Sequence, residues 1–365
     1  MSLLRGVLLL APLAIAAFVV TPQAQAQTPA EEPDLAPLCA PLAQLAQTPG
    51  CPDAGPGYYL EQLESAGLSY PLPALVVERV SAYRGLPHPY GRVITDAAPV
   101  FRHPAEAVAG LAPVRAWEKG FVFVSVLGTV TYQERVFYQI NASEYMRAED
   151  ITDVRPSGWS GAHVAGAGTK FGWVIRPTQT SPAPGALPGP DSPWVQRYQP
   201  VTALNVQNLG EWDWYEVAPG QWAEQRNFGW VSPTPPPGVP ADAIAIDTYE
   251  QTLAVYRGGQ IVFGTLISSG SRWFPTRPGT FQIWAKLWAD RMTGVYRADR
   301  SDYYYLEDVP FVLYYDGDRA LHGAYWHDNF GVQTSHGCVN LSPADARWLF
   351  DNAGVGDTVV VFSSQ

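Results

Sequence analysis

The segment Ser-Pro-Thr-Pro-Pro-Pro-Gly-Val-Pro-Ala at residues 232–241 constrains the fold of this chain more than any other. Proline fixes φ and carries no amide donor, so a run of prolines is barred from sheet and helix interiors and settles into an extended spacer. A separate domain is expected to begin directly after it and to occupy residues 241–363. Composition points to a mainly β protein on both sides of the spacer: 13 Trp, 19 Tyr and 14 Phe offer large surfaces to bury, while 34 Pro and 33 Gly supply turns.

At the other end, residues 1–26 read as an export signal. Arg5 gives a positive start, residues 7–20 an unbroken apolar run, and Ala24-Gln25-Ala26 a small-residue site, with cleavage expected after Ala26. The apolar run is shorter than the ~20 residues of a spanning helix, so no membrane anchor is expected once the signal is removed. Residues 27–75 read as an Ala/Pro/Gln-rich tether in which Cys39 and Cys51 form a disulfide, followed by a short helix at 58–66 stopped by Gly67. In residues 76–155, short strand patterns at 90–94, 100–101, 121–126 and 136–140 have a rhythm that resembles a small SH3-like barrel. Residues 156–237, with the proline-rich spacer at their end, carry two echoing segments, Phe171-Gly-Trp-Val174 and Phe228-Gly-Trp-Val231. Trp212, Trp214, Trp222 and Trp230 in this Trp-rich β module are expected to pack inward rather than to form a sugar or peptide platform. A formal charge of −11 without a Lys/Arg cluster argues against nucleic acid as a partner.

Within residues 241–363, Ile244, Ile246, Leu253 and Val255 alternate with polar residues, Gly258-Gly259 marks a turn, and 261–267 forms the returning strand. Further strands are expected at 303–305, 309–315 and 359–362. The run "LSPADARWLF" predicts a helix with Ser342 as N-cap, Pro343 at the first helical position and Asp345 completing a capping box. The same domain concentrates reactive side chains. The chain has six histidines and three cysteines, yet His322, His327, His336 and Cys338 fall within seventeen positions. The thiolate is the nucleophilic form of cysteine, and an ordinary pKa near ~8.5 leaves little of it at neutral pH, so a base or a positive field is required. His322 and His336 are candidate bases, and the helix starting near Ser342 directs its positive end toward the Cys338 loop. Gly337 permits a sharp turn, so that the N–H groups of Gly337 and Cys338 converge on a developing oxyanion.

His322-Gly323 followed by Ser335-His336-Gly337-Cys338-Val339-Asn340 resembles the signature of the L,D-transpeptidase (YkuD-type) catalytic domain family. "PTRPGTF", residues 275–281, resembles that family's Pro-Thr-x-x-Gly-x-Phe turn, and the resemblance covers roughly residues 241–362. It implies a YkuD-like β-rich catalytic domain with a short helix after the Cys loop, in an exported enzyme that needs no cofactor or metal. Carried to these positions, it implies Cys338 as nucleophile, His322 as general base and the Gly323 main-chain carbonyl as the group that orients His322. His336 is then a neighbouring group or the alternative base, and Gly337 supplies an oxyanion N–H. Tyr325, Trp326, Ser335 and Asn340 are candidates at the substrate, although Ser335 and Asn340 are expected rather to hold the loop together through backbone hydrogen bonds. His327, Trp273 and the 286–294 segment, with Arg291 facing a carboxylate, are further groove candidates. The implied partners are donor and acceptor peptidoglycan tetrapeptide stems, joined through a thioester; with water as acceptor the same site is a carboxypeptidase or endopeptidase. Two rival readings are a His₃Cys zinc shell, whose spacing fits none of the short-pair patterns, and a non-catalytic wall-binding protein.

Overall fold

The computed structural model describes residues 56–83, 85–164 and 168–365. The export signal and the Cys39–Cys51 pairing lie outside the described residues. The first described element is the helix Pro56–Ser65. It ends at Gly67, in the left-handed region at φ +73°, where the Gly67 and Leu68 amides donate back to the carbonyls of Glu64 and Leu63.

Strands dominate the rest, in two large sheets. The six-stranded sheet runs Gly279–Gln282, Thr358–Phe362, Ala243–Asp247, Thr252–Arg257, Gln260–Leu266, Ala162–His163. Its centre is the meander that the alternation at 244–255 predicts, with Arg257 opposite Gln260 across the Gly258-Gly259 turn. The other sheet, seven-stranded, runs Val339–Leu341, Arg319–Gly323, Tyr304–Asp316, Phe121–Ser125, Tyr90–Val93, Ile151–Asp153, and Ala285–Gly294 also pairs with Tyr304–Asp316.

Hydrogen bonding therefore crosses the proline spacer in both sheets. Phe121–Ser125 pairs in parallel with the start of Tyr304–Asp316, and Ala162–His163 pairs antiparallel with Gln260–Leu266 as the edge strand of its sheet. The core is shared in the same way: Tyr90 and Phe123 are buried in one cluster with Ile244, Ile246, Leu313 and Leu321. The two echoing segments pair with each other, Phe171 opposite Val231 and Val174 opposite Phe228. Their glycines permit this closeness, because a Cβ on Gly172 would sit 2.1 Å from the Gly229 carbonyl oxygen. Trp222 and Trp230 are buried and Trp212 and Trp214 half-buried, which is the inward packing the aromatic content predicts.

Strand Tyr304–Asp316 changes partners along its length. Residues 304–306 bond to Phe121–Ser125, whereas Leu313 to Asp316 bond to Arg319–Gly323. Between them Pro310 lies close to Asp308 and Phe311, both at positive φ, 45° and 58°. The Asp308 conformation is held from outside the strand: Ser125 Oγ donates to its carboxylate at 2.7 Å and the Tyr90 hydroxyl to its carbonyl at 2.8 Å.

The helix Pro343–Asn352 begins as predicted, with the Asp345 amide donating to Ser342 Oγ at 3.2 Å. The reciprocal half of the expected capping box is absent. The Asp345 carboxylate instead accepts from Thr265 Oγ1 at 2.5 Å and from the Gly161 amide at 2.9 Å, which ties the helix to the edge of the six-stranded sheet.

Candidate active site

Cys338 immediately precedes the strand Val339–Leu341, and His322 lies in the adjoining Arg319–Gly323. The two strands are parallel, with Leu321 opposite Val339 and His322 opposite Asn340, so one step back Ala320 stands beside Cys338. Side chains alternate across a strand; Ala320, His322, Cys338 and Asn340 therefore share one face, with His322 diagonal to Cys338. Diagonal cross-strand neighbours lie roughly 7–8 Å apart at Cα, a gap that a cysteine and an imidazole can close. This face opens on a cavity of about 920 Å³ lined by Cys338, His322, Trp326, His327 and His336 among others.

The thiol is half-buried, with Sγ 3.9 Å from the Asp318 carbonyl oxygen. Burial pushes it up to about 11, against the pull of the Ala320 backbone amide. The helix field expected from Pro343–Asn352 adds little. Four steps of extended chain, roughly 13 Å, separate Cys338 from Ser342, and a helix-terminus field fades within a turn.

His322 is buried, 1% exposed. Its Nδ1 lies 3.4 Å from the Gly323 carbonyl oxygen, a long contact that nonetheless favours the proton on Nδ1 and leaves the Nε2 lone pair free. Burial drives His322 down to about 4; the Gly323 carbonyl opposes this and His327 adds to it. Both members of the pair are thus neutral at rest. His336 is exposed and stacked against Tyr296, 5.2 Å between ring centres at 4°, with Phe274 and Tyr304 on its other sides. The partial desolvation that these aromatics impose on the ring lowers its pKa as well.

The loop before Cys338 is closed by its own hydrogen bonds, with Ser335 in the loop-holding role expected of it, and this corrects one expectation. The Gly337 N–H, expected at the oxyanion, donates to Ser335 Oγ at 3.1 Å, and that hydroxyl donates to the Cys338 carbonyl at 2.5 Å. Ser335 therefore works inside the loop rather than on substrate. Gly337 stands at φ +116°, and its carbonyl accepts from Thr276 Oγ1 at 2.9 Å, while Thr276 Oγ1 also accepts from the Gly270 amide. Thr276 belongs to the quoted "PTRPGTF" turn, so the sequence displayed this clamp without revealing its purpose.

Tyr325 and Asn340 are also corrected. Tyr325 is fully buried, stacks on Tyr90 with ring centres 3.6 Å apart and donates its hydroxyl to the Glu307 carbonyl at 2.7 Å, so it belongs to the core. Trp326, its neighbour in the bend after Gly323, takes the cavity side instead, 5.8 Å from the His322 ring. Asn340 lines the cavity, but its amide lies 2.9 Å from His327 Nε2. The Asn329 amide donates to His327 Nδ1 at 3.0 Å, so the neutral ring carries its proton on Nε2, and Asn340 must present its oxygen to it. His327 is thereby an anchor of the 326–330 loop. Arg291 bonds to the Tyr305 hydroxyl, and Lys286 donates to the Phe350 and Ala353 carbonyls at the end of the last helix; neither lines the cavity, whereas Trp273 does. Among the described residues, no group of three His, Cys, Asp or Glu side chains is placed to hold a metal ion. Arg92, Gly120 and Phe121, from before the proline spacer, line the cavity without any signal in the sequence.

Residues 241–361 match the family model of YkuD, the L,D-transpeptidase catalytic domain. This domain belongs to the YkuD family. The chain is 33% identical over 116 residues to L,D-transpeptidase 1 of Mycobacterium tuberculosis, a match covering 30% of this chain and 46% of that protein. It thus spans about half the length of the curated relatives it matches. Among solved structures, the catalytic domain of the L,D-transpeptidase of Enterococcus faecium is 28% identical, covers 34% of this chain and 100% of that one, and has a TM-score of 0.31. An L,D-transpeptidase from Stackebrandtia nassauensis is also 28% identical, with 34% and 57% covered and a TM-score of 0.27.

Proposed function

We propose that this chain is an exported cysteine L,D-transpeptidase that cross-links peptidoglycan stem peptides through a thioester on Cys338. The observation that carries this reading is the placement of Cys338 and His322 as diagonal neighbours on one face of two parallel strands, open to a peptide-sized cavity inside the YkuD domain. Because thiol and imidazole are both neutral at rest, the Sγ proton moves to His322 Nε2 as Sγ attacks the carbonyl carbon of the donor's L-centre–D-Ala bond. The C–N bond then breaks, the nitrogen of the departing D-alanine takes the proton from Nε2, and a thioester remains. Attack by the side-chain amine of a second stem, with His322 accepting its proton, forms the cross-link and returns the thiol. With the Gly337 N–H already engaged, the Cys338 N–H is the donor assigned to the oxyanion.

Intact-mass measurement tests the reading. Incubation with a disaccharide tetrapeptide should add the mass of the acyl group at Cys338, and Cys338→Ala should abolish both the adduct and the cross-linked dimer. A Cys338→Ala protein that still forms dimer, or activity lost to a chelator but not to a thiol alkylator, would sink it. The secreted protein's mass should begin at Gln27, the residue after the expected cleavage site.

A further inference from the structure

The cavity beside Cys338 has a second wall outside the YkuD domain. Arg92 lies on Tyr90–Val93, opposite Phe123 on one side and Thr152 on the other, a strand held between two neighbours. Phe121 is opposite Tyr304, and its amide donates to the Tyr303 carbonyl at 2.9 Å, so this wall is bonded to the strand that carries the cavity's rim. The Arg92 guanidinium lies 5.5 Å from the Phe121 ring centre and 5.9 Å from that of Phe123.

Lys119 pairs with Asp96 and Arg300 with Glu118, whereas Arg319, the other arginine lining the cavity, shares Asp316 with Arg277, and Asp318, which also lines the cavity, has no ion pair among the described residues. The Asp302 carboxylate accepts from the Tyr296 and Arg297 amides. Among the described residues no carboxylate pairs with Arg92. A second cavity, about 830 Å³, shares Arg92, Gly120 and Ser301 with the first, so the groove continues past this guanidinium.

We propose that Arg92 is a substrate-recognition residue that binds a carboxylate of the peptide lying in this groove, which makes the region before the proline spacer part of the specificity of acyl transfer. A guanidinium fork suits a carboxylate, and its seat on two rings limits the rotamer freedom lost on binding. The inference rests on the stem-peptide reading above. Two carboxylates share the required chemistry, the chain-terminal one and one on the side chain of a diamino-dicarboxylic residue.

Binding separates this assignment from the fate of the nucleophile. In the full chain carrying Cys338→Ala, the Kd of a tetrapeptide is measured as the free acid, with the chain terminus amidated, and with the side-chain carboxylate amidated. Arg92→Met should weaken the free acid by about tenfold to a hundredfold, and Arg92→Lys by less. One of the two amidations should weaken binding to the Arg92 protein yet change nothing in Arg92→Met, which identifies the carboxylate. Unchanged affinity in Arg92→Met, equal sensitivity of both proteins to both amidations, or no measurable binding of any peptide overturns the assignment. Wild-type protein that binds the peptide but gains no acyl mass refutes the thioester reading while the Arg92 comparison still stands.

Discussion

Cys338 and His322 illustrate how a neutral pair is kept ready. Burial raises the thiol to about 11 and lowers the imidazole to about 4, so no thiolate is stored at neutral pH. Alkylation of Cys338 by iodoacetamide, which requires the thiolate, should therefore climb with pH toward a midpoint near 11; a midpoint below 8 in the free protein would refute the neutral resting pair. Residue identity pointed to Cys338 and left its base between His322 and His336; the resemblance to the family, not the residues alone, singled out His322. Roles that depend on where a group turns were not legible: the Gly337 N–H is taken up by Ser335, Asn340 serves His327, and Tyr325 faces the core.

The helix behind the site shows the same division for an element. Its start could be read from Ser342 and Pro343, since capping is a local matter of orphan amides and nearby oxygens. The Asp345 carboxylate was not, because Thr265 and Gly161 are distant in sequence and arrive only when the sheet forms. A cap and a buried anchor should differ in consequence. Ser342→Ala is expected to lower the unfolding free energy by about 1 kcal/mol. Asp345→Ala, which leaves a buried hydroxyl and an amide without their acceptor, should cost roughly 2–4 kcal/mol. Urea unfolding of both variants checks the order, and a smaller loss for Asp345→Ala would show that the helix does not depend on its sheet contact.

For the whole molecule, the informative groups lie at the seams across the proline spacer. Glu250 accepts from the Trp230 amide at 3.1 Å, and Glu307 from the Ser125 amide at 2.8 Å; burial lifts each carboxyl from 4.5 to about 7. Here the folded chain holds protons that the unfolded chain has released, so stability is lost as pH rises from 4.5 to 7. His322 and His327, lowered from 6.5 to about 4, act with the opposite sign: the unfolded chain takes protons first, and stability is lost as pH falls from 6.5 to 4. The windows overlap, so unfolding midpoints should change little between pH 7 and 5. Replacing both carboxylic acids, Glu250→Gln with Glu307→Gln, should unmask the histidines and make the protein less stable at pH 5 than at pH 7. A double variant as insensitive to pH as the parent would show that these histidines are not buried neutral. Residues 241–365 expressed alone should unfold at lower temperature than the full chain, because Tyr90 and Phe123 complete the core around Ile244, Ile246 and Leu321.

The sequence by itself determined the β character, the last helix and which residues are candidates for the chemistry, all of which follow from local propensity, spacing and side-chain chemistry. Tertiary structure decided which of those groups are free to act, and it placed Arg92 and Phe121 on the wall of the cavity. The reason is that a sheet joins strands across any separation in sequence. Phe121 comes to stand beside Tyr304 through backbone hydrogen bonds, and the pattern of side chains carries no local mark of that pairing.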